Sequence, residues 1–500
     1  MSPVQPQQPK GPLSQSGIEI KSEPKPLSRE DVVRDIESKH HILLQDGSEV
    51  ALDLSDPEKI KKAFEEINDP SLLAYILSEE VKGQPKQEAP SIKEMQRLEM
   101  YDYEPASDLG NMRMYPKGVL LYELLKDWAD EIAINRLGAM KIESPLLYSR
   151  DDPEIREQVS SFHERHYVVR GGDDDKKEFI LRFAGDFGLF KIMKDANFSY
   201  KVLPVRMYEY SKSFRYEKSG ELSGLKRVRA MNIPDVHCFC KNLEEGWNEY
   251  IQLYKKYDDL AKGVGIEYAI GFRIVKEFYE KHKDKLVELA RYSKRPVFIE
   301  VLSKMKHYWA VKHEFQGIDS VRGNLQLSTV QLDVKDAKVY GINYVNEKGE
   351  KEGCIICHSS IGSIERWIYS VLEEALKKEK PSLPLWLAPS QVRLLPVSEK
   401  HLDYCLKVAM NKVRLEVDDS KDSLGKKIAK AGKDWVPYVA VVGDKEIESG
   451  MLMVQCRADG SKREMLPLAL ESEICAKCKE FPFRPLPLNK RISLRPIFRG

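Results

Sequence analysis

Between Lys117 and Leu137 apolar side chains recur at Leu121, Leu124, Leu125, Trp128 and Ile132. That three/four spacing predicts an amphipathic helix. GAMKIESPLLY follows as a strand running into Pro145. KEFILRF, VRMYEYSKSFRY, VRAMNIPDVHCFC, NLQLSTVQLDV and CIICHSS are rich in β-branched and aromatic residues and predict strands of one sheet. Hairpins between them imply a mostly antiparallel sheet. SIERWIYSVLEEALKKE predicts a helix with a charged outer face.

The flanks read differently. Residues 1–27, rich in Pro, Gln and Ser, predict a disordered tail. Residues 28–83 predict a small ordered unit: a capped helix in SREDVVRDIESKH, a hairpin around Asp-Gly in HILLQDGSEVAL, and helices in DPEKIKKAFEEI and PSLLAYILSEEV. Residues 84–104 form a polar, Pro-containing linker, and a larger domain spans 105–380. From 381 to 500 the strands QVRLLPV, VRLEVDD, PYVAVVG and GMLMVQC alternate with helical KHLDYCLKVAMNK and SLGKKIAKAGK, which predicts a separate α/β domain. The fold class expected is α+β and multidomain.

A hydrophobic content of 42% and a charged content of 32% fit a soluble globular protein. Lys+Arg 80 against Asp+Glu 79 leaves a net charge of +1, so any nucleic-acid contact must use local patches. Ala476–Gly500 offers one, with seven Lys/Arg and one acidic residue. There is no apolar run of 18 residues and no signal-peptide pattern at the N-terminus, and eight cysteines are too few for a disulfide scaffold. These features point to the cytoplasm.

Neither G-x-G-x-x-G after a strand nor G-x-x-x-x-G-K-[ST] occurs. A nucleotide would therefore be held by arginines on a rigid sheet. Arg215, with Glu217 beside it, and Arg366, in the first turn of a helix after Gly362, suit that task. Taken singly, each is as readily a surface ion-pair residue. Asp186, His237 and His358 form a second group whose members, one at a time, read as turn or core residues.

In order, Gly138-x6-Pro145, FRYE with SGEL-x-GL-x-R-V-R, and GSIER resemble motifs 1, 2 and 3 of class II aminoacyl-tRNA synthetases. DLGNMRMYPKG, TVQLDV, LPLWLAPSQV and VVGDKEIESG resemble the threonyl-tRNA synthetase family, in its archaeal form. The resemblance covers residues 105–500. It implies an antiparallel catalytic sheet flanked by helices, followed by an α/β anticodon-binding domain. The implied reaction is threonine plus ATP to threonyl-adenylate, then transfer to tRNA(Thr), with Mg2+ accompanying ATP.

It also implies residue roles. Arg215 would hold the α-phosphate and the substrate carboxylate, Glu217 would read adenine, and Arg366 would bind the γ-phosphate. Arg227 and Gln326 would approach the nucleotide. Asp235, Gln331 and Trp309 would line the threonine pocket, with Asp235 accepting the hydroxyl proton. Zn2+ would sit on Asp186, His237 and His358, Asp186 standing where the family carries Cys. Oxygen is an acceptable but harder ligand than thiolate, so weaker Zn2+ binding is expected. Glu446 matches a base-reading position in the anticodon domain. The expected assembly is a homodimer. The family's editing motif has no counterpart before residue 105, which implies editing of Ser-tRNA(Thr) by a separate protein. A prolyl or seryl enzyme and a non-catalytic tRNA-binding paralogue are the alternatives.

Overall fold

The computed structural model describes residues 36–81, 88–108, 110–161, 165–171 and 177–498. The tail expected at 1–27 lies outside them. Of the helix expected over 28–40, residues 28–35 also lie outside, and the rest is not helical. Ser38–Leu43 is strand β1, which turns at Asp46-Gly47 into β2 (Glu49–Leu52) as the Asp-Gly signal predicts. Helices α1 (Pro57–Ile67) and α2 (Pro70–Tyr75) follow, each begun by an Asp-Pro pair. The Asp carboxylates of Asp56 and Asp69 cap the first turn, and proline at the first helical position lacks only an N–H that has no helical partner anyway.

This small unit is continuous with the main sheet, because β1 pairs antiparallel with β7 (Val297–Leu302). The sheet has ten strands in the order β2-β1-β7-β6-β8-β9-β10-β5-β4-β3. The remaining members are β3 (Met140–Ile142), β4 (Val205–Phe214), β5 (Ala230–Cys240), β6 (Tyr268–Val275), β8 (Trp309–Ile318), β9 (Asn324–Asp333) and β10 (Ile355–Ser360). All neighbours are antiparallel except β6 with β7 and β3 with β4. The mostly antiparallel expectation holds. KEFILRF, however, stands apart from this sheet: Lys177–Leu181 pairs with Leu147–Ser149 and Tyr167–Gly171 in a sheet of three. An alternating pattern identifies a strand but not its partners, which tertiary packing selects.

Helix α3 (Pro116–Asp130) carries Leu121, Leu124, Leu125 and Trp128 of the apolar stripe read from the sequence, and Ile132 follows in a π-helical turn over Glu131–Arg136. Helix α4 (Asp186–Asp195) lies above the site described below. Helix α5 (Leu243–Val264) buries Trp247, Tyr250, Tyr254, Tyr257 and Ala261, one helical stripe, against the back of the sheet. Tyr257 and Ser359 share a hydrogen bond of 2.7 Å, and Tyr250 meets His313 at 2.8 Å. Helix α6 (Lys276–Ser293) packs beside it.

Helix α7 (Ile364–Leu376) departs from expectation, for its charged residues are not all outward. Glu365 is buried and accepts both the backbone and the side-chain amide of Asn232. Glu373 is buried and accepts the backbone N–H of Ser91 and Ser320. The carboxylates serve orphan donors of neighbouring loops, a use that helical periodicity cannot reveal.

The C-terminal part forms a five-stranded mixed sheet of Val392–Pro396, Leu415–Val417, Tyr438–Val442, Leu452–Cys456 and Lys462–Met465, with Leu424–Lys433 among its helices. In the basic tail, Arg484 pairs with Asp127 and Glu123, Arg491 with Asp419, and Arg495 with Glu416. Among the described residues no helix is long and apolar enough to cross a membrane.

Candidate active site

Three adjacent central strands build the floor of the site. Across β5 and β10, His237 lies opposite His358 and Asp235 opposite Ser360. Across β9 and β10, Gln331 lies opposite His358 and Thr329 opposite Ser360. Cross-strand partners share a face, so the register alone sets these side chains in one row. Asp186, at the start of α4, closes the row from above. Its carboxylate is 3.2 Å from His237 Nε2.

Asp186, His237 and His358 each offer a ligand atom within 4.8 Å of the others. Burial alone would raise the Asp186 carboxyl, but the His237 hydrogen bond and the nearby imidazole and guanidinium charges outweigh it and hold it at about 2. Burial lowers His237, which favours the neutral imidazole that can ligate a metal. Asp235 is pushed well up by burial, then by the charge of Asp186. One carboxylate, one buried neutral imidazole and a second imidazole suit Zn2+. A second group, Asp333, Asp336 and His358, shares the last residue.

Asp186, Asp235, His237 and His358 line a cavity of about 340 Å3, together with Arg215, Gln326, Gln331, Tyr308 and Arg366. Trp309 is not in its wall. It is buried, with its ring stacked on His307 at 5.0 Å. The neighbouring Tyr308 lines the cavity instead and donates to Gln331 Oε1 at 2.8 Å. Tyr308 lies in the bend just before β8 and Trp309 is the first residue of the strand, so the turn in the chain sends the two adjacent side chains to different places.

A second cavity of about 930 Å3 opens beside the first. Its lining includes Arg215, Glu217, Arg227, Gln326 and Arg366. Arg215, Gln326 and Arg366 line both cavities. Arg215 lies one residue past β4 and donates through Nε to the Phe183 carbonyl at 3.1 Å. Glu217 accepts from Arg227 Nε at 3.1 Å and lies 3.4 Å from Arg165. Arg366 stands in the first turn of α7, whose Ser363 cap accepts its backbone N–H. Its guanidinium donates to the carbonyls of Lys226 and Gln326 at 3.2 and 3.0 Å. Burial, then the charges of Arg215 and Arg227, lower it to about 10. Two further arginines beside it mark a place prepared for an anion. Gly362, just before this helix, has φ of +99°, and a Cβ there would lie 2.9 Å from the Leu327 carbonyl. Only glycine fits that approach.

Sequence reasoning missed Tyr308, Asp333 and Arg273, the last reaching the larger cavity from β6. Asp333 lies within TVQLDV and Tyr308 next to Trp309, so both were within reach of the sequence signal; Arg273 gave none. Glu446 lies in the first turn of Asp444–Ser449 in the C-terminal unit, where its Oε2 accepts the Gly443 N–H at 2.9 Å.

The profile of the tRNA synthetase class II core domain (G, H, P, S and T) matches residues 167–375, and that of an anticodon binding domain matches 391–475. A threonine–tRNA ligase of Thermococcus kodakarensis is 40% identical over 495 residues, 96% of this chain and 77% of the relative. One from Pyrococcus horikoshii is 43% identical over 428 residues, covering 83% and 68%. Among solved structures, the RNA binding domain of threonyl-tRNA synthetase from Cryptosporidium parvum aligns with a TM-score of 0.67 at 22% identity, over 77% of this chain and 98% of that one. Prolyl-tRNA synthetase of the same organism aligns at 0.63 with 17% identity, over 78% and 77%, a likeness of fold.

Proposed function

The chain belongs to the threonyl-tRNA synthetases and activates L-threonine with ATP for transfer to tRNA, and we propose that it divides this chemistry between the two joined cavities. ATP with Mg2+ occupies the larger one and threonine the smaller. The observation that carries this reading is the shared wall. Arg215, Gln326 and Arg366 border both spaces, so a carboxylate in one meets an α-phosphate in the other beside fixed guanidinium groups.

No general base is required, because the attacking carboxylate is already ionised. Arg215 holds that carboxylate and the α-phosphate together and neutralises charge that builds as the carboxyl–phosphorus bond forms, the α–β phosphoanhydride bond breaks and pyrophosphate leaves. Arg366 and Arg227 take the outer phosphates, and Glu217 exchanges its arginine partners for the adenine edge. Gln331 orients the substrate, and Asp235 accepts its hydroxyl hydrogen bond. Asp186, His237 and His358 would hold Zn2+, which when bound would supply Lewis acidity for recognising the substrate's polar groups. An apolar pocket separates near-isosteres by only about 1–3 kcal/mol, so rejecting valine needs the hydroxyl to be recognised. Serine keeps that hydroxyl, and its removal from tRNA(Thr) falls to a separate editing protein. The C-terminal unit reads the anticodon, with Glu446 as one contact. The enzyme works as a homodimer in the cytoplasm, a compartment consistent with its eight unpaired cysteines.

ATP–pyrophosphate exchange with threonine, serine, valine and proline, with and without a chelator, tests this. Strong exchange with threonine, loss with chelator and little with valine are expected. Proline-only exchange would assign another specificity. Rapid hydrolysis of Ser-tRNA(Thr) by the purified chain would remove the separate editing protein.

A further inference from the structure

The ring of His358 has an anchor that its role as a ligand does not require. Its Nε2 lies 2.7 Å from Asp333 Oδ2, and both residues are buried. The other oxygen of Asp333 accepts the backbone N–H of Lys335 at 2.7 Å and of Asp336 at 2.9 Å. The carboxylate is therefore fixed by the chain beyond β9 and cannot turn without orphaning two amides. Around the ring stand Phe190, Tyr308 and His237, with centroids 5.5, 5.4 and 5.0 Å away. A carboxylate only accepts hydrogen bonds, so it requires the proton on Nε2 and leaves the Nδ1 lone pair as the ligating one.

We propose that Asp333 is a positioning residue for metal binding: it locks His358 in the Nε2–H tautomer, so that the imidazole meets the metal through Nδ1. The proposal rests on the metal reading given above. Carboxylate partners of this kind orient metal-ligating histidines and raise their basicity.

The discriminating variant is Asp333→Asn. An amide has one accepting oxygen. If that oxygen keeps the two backbone amides, its NH2 faces His358 and demands the other tautomer, with the proton on Nδ1. Zn2+ affinity of the full chain, measured by competition with a chromophoric chelator, should fall about 10- to 100-fold. The threonine KM should rise with it, while the ATP KM and thermal melting stay near wild type. At saturating Co2+ the visible spectrum should match wild type, because the donor set is unchanged. An unaltered Zn2+ affinity overturns the proposal. So does a Co2+ spectrum that loses a ligand, which would make Asp333 a ligand itself. Failure of the wild-type chain to bind Zn2+ would instead sink the metal reading beneath it. Should the variant not fold, long-range 1H–15N spectra of the metal-free, histidine-labelled wild type decide. His358 as the Nε2–H tautomer is expected, and the Nδ1–H form overturns the proposal.

Discussion

At position 186, where the resemblance in the sequence implies a cysteine, a carboxyl stands whose pKa the His237 hydrogen bond and nearby charges hold at about 2. Oxygen is the harder donor, so Asp186→Cys should tighten Zn2+ binding at least tenfold, read by chelator competition. Arg215 borders both cavities, and Arg215→Ala removes a group that acts where charge develops. A loss of about 10²–10³ in kcat for exchange is expected, with melting little changed. The motif arginines and the two candidate ligand histidines stood out in the sequence only through the ordered motifs that resemble a known family, since singly each reads as an ordinary surface or core residue. Trp309 could not be resolved from Tyr308, because which of two adjacent residues faces a pocket is decided by the local path of the chain.

Among the elements, the junction of the small N-terminal unit with the sheet depends on one missing side chain. A Cβ on Gly271 of β6 would lie 2.7 Å from the Tyr75 hydroxyl, which donates to Glu80. Glu80 in turn pairs with Arg273 in the cavity wall at 2.8 Å. Gly271→Val should displace α2 and cost about 1–3 kcal/mol by overpacking, seen as a lower melting temperature and a raised ATP KM. In the C-terminal sheet, Glu416 is buried between Arg393 and Arg495 at 2.7 and 2.6 Å. Burial raises its carboxyl, but the two guanidiniums outweigh that and hold it at about 2, below the ordinary 4.5. The folded form thus favours the ionised state. Its stabilisation is complete above the ordinary value and fades as pH falls through 4.5 toward 2. Glu416→Gln should destabilise by about 3 kcal/mol at pH 7, because buried Arg495 loses its carboxylate partner and Arg393 keeps only Asp434. The gap in melting temperature between variant and wild type should shrink over that acid range.

For the whole molecule, a stack of rings joins parts distant in sequence. Trp386 lies 4.8 Å from Phe481 and 6.2 Å from Trp128 of α3, and Phe481 lies 5.1 Å from Trp128. Beside it Arg484 reaches Asp127. Phe481→Ala should loosen the C-terminal unit from the catalytic part by about 2 kcal/mol, less than a fully buried phenylalanine, because Phe481 is only partly covered. Faster limited proteolysis between residues 376 and 390 would report it. The basic tail, offered by composition as a local patch for nucleic acid, has its Arg484, Arg491 and Arg495 engaged in ion pairs. Composition counts charges but does not say which ones meet a partner.

The linear chain by itself determined the family, the mostly antiparallel sheet and the candidate residues for nucleotide and metal. Those are properties of residue type, period and order, and they survive without coordinates. Tertiary structure alone decided that the N-terminal strands extend the catalytic sheet, that Lys177–Leu181 pairs elsewhere, and that Asp333 grips His358. Each depends on pairing across tens or hundreds of residues, where register and burial choose among partners that local pattern leaves equivalent.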